Sequence, residues 1–74
     1  MHPIRSIVSI DPDILAGTPC FAGTRVPVQT LIDYLKSGDR VDDFLIDFPT
    51  VQREQVAAML DAAGEAVAQY ARSA

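Results

Sequence analysis

The chain has 74 residues, with six Lys or Arg against ten Asp or Glu and a net charge of −4. That length allows one domain with a small core, and an apolar content of 49% argues against a disordered chain. One cysteine excludes an internal disulfide, no Cys/His pair has zinc spacing, and the acidic balance weighs against a module that grips nucleic acid unaided.

No stretch approaches the ~20 apolar residues of a membrane span, and no secretory leader is visible. The expectation is a single cytoplasmic domain over residues 1–74 that makes no contact with a membrane.

In chain order, IRSIVSI at residues 4–10 alternates as a strand does. Ile4, Ser6, Val8 and Ile10 fall on one face, and Arg5, Ile7 and Ser9 on the other. Asp11-Pro12-Asp13 ends the run as a turn, because proline supplies no ladder donor.

Residues 17–28, GTPCFAGTRVPV, are the densest in special residues. Cys20-Phe21 and Thr24-Arg25-Val26 are β-compatible pieces separated by Ala22-Gly23, and Gly23 takes positive φ cheaply. Pro27 suits the first turn of a helix. The stretch reads as a tight hairpin feeding a helix, with Cys20 as a buried small hydrophobe. It is not a phosphate loop: five residues separate Gly17 and Gly23 where four are needed, and Thr24-Arg25 stands where Lys-Ser/Thr belongs.

Three helices follow. The first spans about 27–37, with Val28, Leu31, Ile32 and Leu35 as its stripe, Lys36 in the last turn and Gly38 beyond it. The second spans about 41–48, with Val41, Phe44, Leu45 and Phe48 on one face. Asp39 is the expected cap, and Pro49 stops the helix. The third spans about 53–71. Its stripe is Val56, Leu60, Ala63, Val67 and Tyr70, with Met59 beside it. Ala57, Gly64, Ala68 and Ala71 form a second, small-residue face where another helix can approach closely. The second and third helices have the order of a helix-turn-helix, and the first completes a three-helix core.

Catalysis is the function class the residues disfavour most. The sole histidine is His2, at a terminus, so no nucleophile–base–orienter set can be assembled around it. Asp42, Asp43 and Asp47, and separately Asp61 and Glu65, read as solvated helix faces. No enzyme, metal site or cofactor is expected.

Nucleic-acid binding has better residue types. The third helix would enter the major groove with its N-terminal residues towards the bases. These are Gln52, Arg53 and Gln55, and arginine and glutamine read guanine and adenine by paired hydrogen bonds. Arg25 is a fourth candidate, as part of a patch with Arg5, Lys36 and Arg40 if folding gathers them. Alternatively, Arg25 anchors carbonyls, or a carboxylate such as Asp11 or Asp13, or faces a partner's acidic site. Protein binding is the third class. A small acidic domain suits covering a basic surface, and the candidate partner-binding residues are Ala57, Gly64, Ala68 and Ala71.

The run DPDILAGTPCFAGTRVPVQTLIDYLKSGDRVDDFLIDFP resembles the bacterial family known as domain of unknown function 433. Asp11, Pro12, Gly17, Pro19, Gly23, Thr24, Arg25, Pro27, Gly38 and Pro49 carry the resemblance, which extends over about residues 7–68. It implies short N-terminal strands before a homeodomain-like helix-turn-helix core. It also implies an antitoxin role: binding and neutralising a cognate PIN-like ribonuclease toxin, with autorepression at operator DNA as a further role. The alternatives are a stand-alone DNA-binding transcriptional regulator and a structural subunit of an unrelated complex. Two helix starts depart from the family pattern. Arg40-Val41 stands for Ser-Pro and Gln52-Arg53 for Thr-Pro, each losing a cap worth about 1 kcal/mol. Asp39 and Thr50 are the candidate replacements. A homodimer is expected, through the N-terminal strand, the third helix, or both.

Overall fold

The computed structural model describes residues 4–73, with side chains from Ser6 onward. His2 and the side chain of Arg5 lie outside the described residues. The elements are a helical turn α1 (Ile4–Ile7), β1 (Val8–Ser9), a 3-10 turn (Leu15–Gly17), β2 (Cys20–Phe21), α2 (Val28–Lys36), α3 (Val41–Asp47) and α4 (Arg53–Ser73). The domain is mostly helical: α2, α3 and α4 follow a short two-stranded antiparallel sheet, with Val8 opposite Phe21 and Ser9 opposite Cys20.

The expected strand over 4–10 is corrected. Only two of its residues join the sheet, and the segment before them turns as a helix. The predicted faces fail as well: Ile7 is 3% exposed, whereas Ile10 is 67% exposed. A ladder needs a partner of matching length. Here the partner is bounded by Pro19, which has no N–H, and by Gly23, which turns the chain at φ +75°.

The hairpin-like bend forms as read. Cys20 pairs across to Pro27, and the Phe21 N–H donates to the Val26 carbonyl at 3.0 Å. Cys20 is 1% exposed, as expected of a core residue. Upstream, Leu15 and Ala16 precede Gly17 in the left-handed region, at φ +50° and +55°. Nothing in Ile14-Leu15-Ala16 signals this, and it costs about 1 kcal/mol per non-glycine residue.

α2 ends in a Schellman turn. Gly38, at φ +87°, donates to the Leu35 carbonyl, and the Asp39 N–H donates to Tyr34. Asp39 is not the cap that was expected of it, because the chain enters α3 one residue later. The N-cap of α3 is Arg40, whose N–H is taken by the Asp43 carboxylate at 2.9 Å. Nor does Thr50 start α4 early. The helix begins at Arg53, and the Gln55 side chain accepts the Gln52 N–H at 2.9 Å, which is the return half of a capping box.

Phe21, Leu31 and Phe44 are fully buried. Phe44 is the hub: its ring centroid lies 6.0 Å from Phe21, 5.5 Å from Tyr34 and 5.1 Å from Phe48. α4 contributes Val56, Ala58 and Met59 to the core and nothing fully buried beyond them. Of its predicted stripe only Val56 is buried, with Met59 beside it, and Ala63 is exposed. Leu60, Val67 and Tyr70 are 38%, 68% and 75% exposed, because the other elements cover only the first two turns of a 21-residue helix.

Candidate functional site

Four surfaces carry the candidate residues. At the start of α4 the expected base readers are mostly engaged within the chain. Arg53 is hydrogen-bonded and ion-paired to Asp42, which Arg40 also approaches at 3.2 Å. The Arg53 guanidinium beside Asp42, through its hydrogen bond first and its charge second, holds the Asp42 carboxyl below its usual range. Gln55 spends its oxygen on the Gln52 N–H and its nitrogen on the Ala22 carbonyl, at 3.0 Å. It therefore ties the start of α4 to the hairpin bend. Gln52 alone keeps an exposed side chain without a partner among the described residues.

The bend itself shows why Gly-Thr-Arg is a unit. Gly23 turns the chain. The Thr24 hydroxyl donates to the Phe21 carbonyl at 2.8 Å and accepts the Val26 N–H at 3.1 Å. Arg25 then projects from the staple, exposed, with no ion pair or hydrogen bond among the described residues. It anchors neither Asp11 nor Asp13 among the described residues. The predicted basic patch does not gather. Arg25 and Lys36 sit at opposite ends of α2, about 12 Å of helix apart, and Arg40 is paired with Asp42.

The third surface escaped the sequence reading. Tyr34, Asp39, Asp43, Ile46 and Asp47 line an open depression of about 320 Å³ on the outer side of α3. Tyr34 builds it from within. Its ring packs edge-on to Phe44 and Phe48, while its hydroxyl reaches the surface and donates to Asp47 at 2.6 Å. That hydrogen bond is the main cause of a raised Tyr34 pKa, with partial burial and the charges of Asp47, Asp39 and Asp43 adding to it. Ile46 stands among these carboxylates, 75% exposed. Two signals were available in the sequence. Asp43 and Asp47 are four residues apart on one helix face, and Ile46 falls off the Val41/Phe44/Leu45 stripe.

The fourth surface is the far half of α4. Ala57, Gly64 and Ala71 are exposed and Ala68 half-buried, so the small-residue face lies open. Among the described residues no three His, Cys, Asp or Glu side chains stand together as metal ligands. No helix there is long and apolar enough to cross a membrane.

A mostly helical domain with a stapled hairpin before three helices defines the class. The sequence places it more narrowly. Residues 8–63 match the family described as "Protein of unknown function (DUF433)", and the chain belongs to that family. It is 40% identical over 52 residues to "Uncharacterized protein y4eO" of Sinorhizobium fredii (strain NBRC 101917 / NGR234). The match takes in 70% of this chain but 24% of that relative, so the chain spans about a quarter of the protein it matches. The crystal structure of a DUF433 member from Anabaena variabilis ATCC 29413 shares the fold, with a TM-score of 0.70 at 24% identity. The superposition covers 95% of this chain and 69% of that one.

Proposed function

We propose that this domain is a non-enzymatic, cytoplasmic protein-binding module of antitoxin type, which docks on and masks the basic substrate surface of a PIN-like ribonuclease. The observation that carries the reading is the acidic face of α3, where Ile46 stands exposed among Asp39, Asp43 and Asp47. An apolar anchor ringed by carboxylates suits a surface built to hold RNA phosphates. The carboxylates oppose the cationic groove and speed encounter, and the isoleucine supplies desolvated contact. The depression is too open and too acidic to suit a small-molecule pocket.

The alternative, a stand-alone DNA-binding regulator, has less support. Arg53 and Gln55 are occupied within the chain, leaving Gln52 and Arg25 as its free candidates. Operator binding with the ribonuclease attached is compatible with the antitoxin reading, because the partner then supplies cations for the phosphates.

The test is co-expression with a ribonuclease encoded beside this gene, followed by an RNA-cleavage assay on the purified mixture. The expected result is a stoichiometric complex with cleavage suppressed, and release of cleavage by Ile46→Arg at unchanged Tm. Failure of any neighbouring ribonuclease to bind, or inhibition indifferent to Ile46→Arg, refutes the reading.

A further inference from the structure

The far half of α4 leaves the core while keeping an uncharged side. Its last buried residue is Met59, so residues 60–73 project for about 20 Å at 1.5 Å per residue. At 100° per residue their three charged side chains, Asp61, Glu65 and Arg72, fall within an arc of about 40°. Two of them are paired there: Arg72 donates to a Glu65 carboxylate oxygen at 3.4 Å, and Gln69 donates to the same oxygen at 3.2 Å. The opposite side carries Leu60, Ala63, Val67 and Tyr70 at a spacing of three and four, the a/d seam of a coiled coil. The positions flanking that seam are Ala57, Gly64 and Ala71 on one side and Ala66 and Ser73 on the other. No charge borders the seam, and Gly64 has open space where a Cβ would stand.

We infer that this face is a self-association surface, on which the α4 helices of two copies pack antiparallel about a two-fold axis near Glu65. The self-complementarity of the seam carries the inference. In that register Leu60 meets the partner's Tyr70 and Ala63 meets the partner's Val67, so every layer joins unlike volumes. A parallel pair would stack Ala63 on the partner's Ala63, leaving a gap, and Tyr70 on the partner's Tyr70, overfilling the next layer. Antiparallel packing also sets the helix dipoles head to tail. A chain of net charge −4 meets its own copy without repulsion only across an uncharged face, and this is such a face. The exposed parts of Leu60, Val67 and Tyr70, with the small residues between them, come to roughly 900 Å² over both copies. That is less than the roughly 1,200 Å² of a stable interface and places the pairing among weak, reversible associations. β1 is the weaker candidate for pairing copies, since it is only two residues long.

Sedimentation equilibrium of the full chain, from low micromolar to several hundred micromolar, tests this. The expected result is a monomer–dimer equilibrium weakened at least ~10-fold by Val67→Asp. Val67 is 68% exposed, so its replacement leaves the monomer folded, with its circular dichroism spectrum and Tm preserved. Mixing Ala63→Lys with Val67→Asp is expected to restore a heterodimer, because the two substituted positions face each other only in the antiparallel register. A chain that stays monomeric throughout overturns the inference and leaves the face to a different protein. Dimerisation untouched by Val67→Asp also overturns it, and absence of mixed rescue overturns the antiparallel register.

Discussion

Gln55 separates a base-reading role from a structural one. Its oxygen accepts the Gln52 N–H, and its nitrogen donates to the Ala22 carbonyl 33 residues away in sequence. Gln55→Ala removes both. Loss of the capping contact costs about 1 kcal/mol, and loss of a half-buried hydrogen bond between elements costs about 0.5–1 kcal/mol more. In a domain of this size 1 kcal/mol moves Tm by about 4–8 °C, so Gln55→Ala is expected to lower Tm by about 6–16 °C. Gln55→Glu dissects the sum. The carboxylate still accepts the Gln52 N–H and suits a helix N-terminus, but it no longer donates to Ala22. It is expected to recover about half of the loss. Thermal unfolding followed by circular dichroism at pH 7 and low protein concentration measures both. If Gln55→Ala unfolds within about 2 °C of the parent chain, the side chain does not tie α4 to the bend. A loss of operator binding at unchanged Tm would instead revive Gln55 as a base reader.

The remaining expectations are simpler. Phe44→Ala empties the centre of the aromatic cluster at a cost of about 3–5 kcal/mol. That is a large share of the roughly 4–11 kcal/mol available to a chain this short, so denaturant titration should find the variant largely unfolded at 37 °C. Gly38→Ala forces a Cβ into the left-handed region at φ +87° and should lower stability by about 1 kcal/mol in the same assay. Arg25→Ala should leave Tm unchanged while weakening whatever partner the bend meets, which calorimetric titration with that partner measures. The Asp42 pKa lies below 3.8 in the folded chain. Its contribution to stability is therefore complete above the unfolded value and is lost as pH falls through the lower, folded one. Asp42→Asn should flatten the acid limb of a Tm–pH profile below about pH 4. Tyr34 runs the other way. Its pKa is raised above 10.0, so its contribution is present below pH 10.0 and is lost as the pH climbs through the higher folded value.

Wherever a local rule acts alone, the sequence by itself determined the outcome. The limits of α2 and α3 follow from a stripe, a terminal lysine, Gly38 and Pro49, each acting within one or two turns. The hairpin follows from Gly23 and the two prolines, and burial of Cys20 follows from its place in that hairpin. Periodicity names a face but cannot say what covers it, and there the tertiary structure decided. Val56 and Leu60 belong to one stripe, yet Val56 is 1% exposed and Leu60 is 38% exposed, because the described elements reach no further along α4. Ile7 and Ile10 look alike in an alternating run, and only the short reach of β2 sends one inward and the other out. Arg53 and Gln55 have the composition of a DNA-reading turn. Their partners, Asp42 and Ala22, lie 11 and 33 residues away in sequence, so only the folded chain shows that they are engaged. Ile46 differs because its exposure was legible in the sequence: it falls outside the apolar stripe of α3. Its place among Asp39, Asp43, Asp47 and the Tyr34 hydroxyl was not, since that grouping arises only when α2 packs against α3 and carries Tyr34 to the rim.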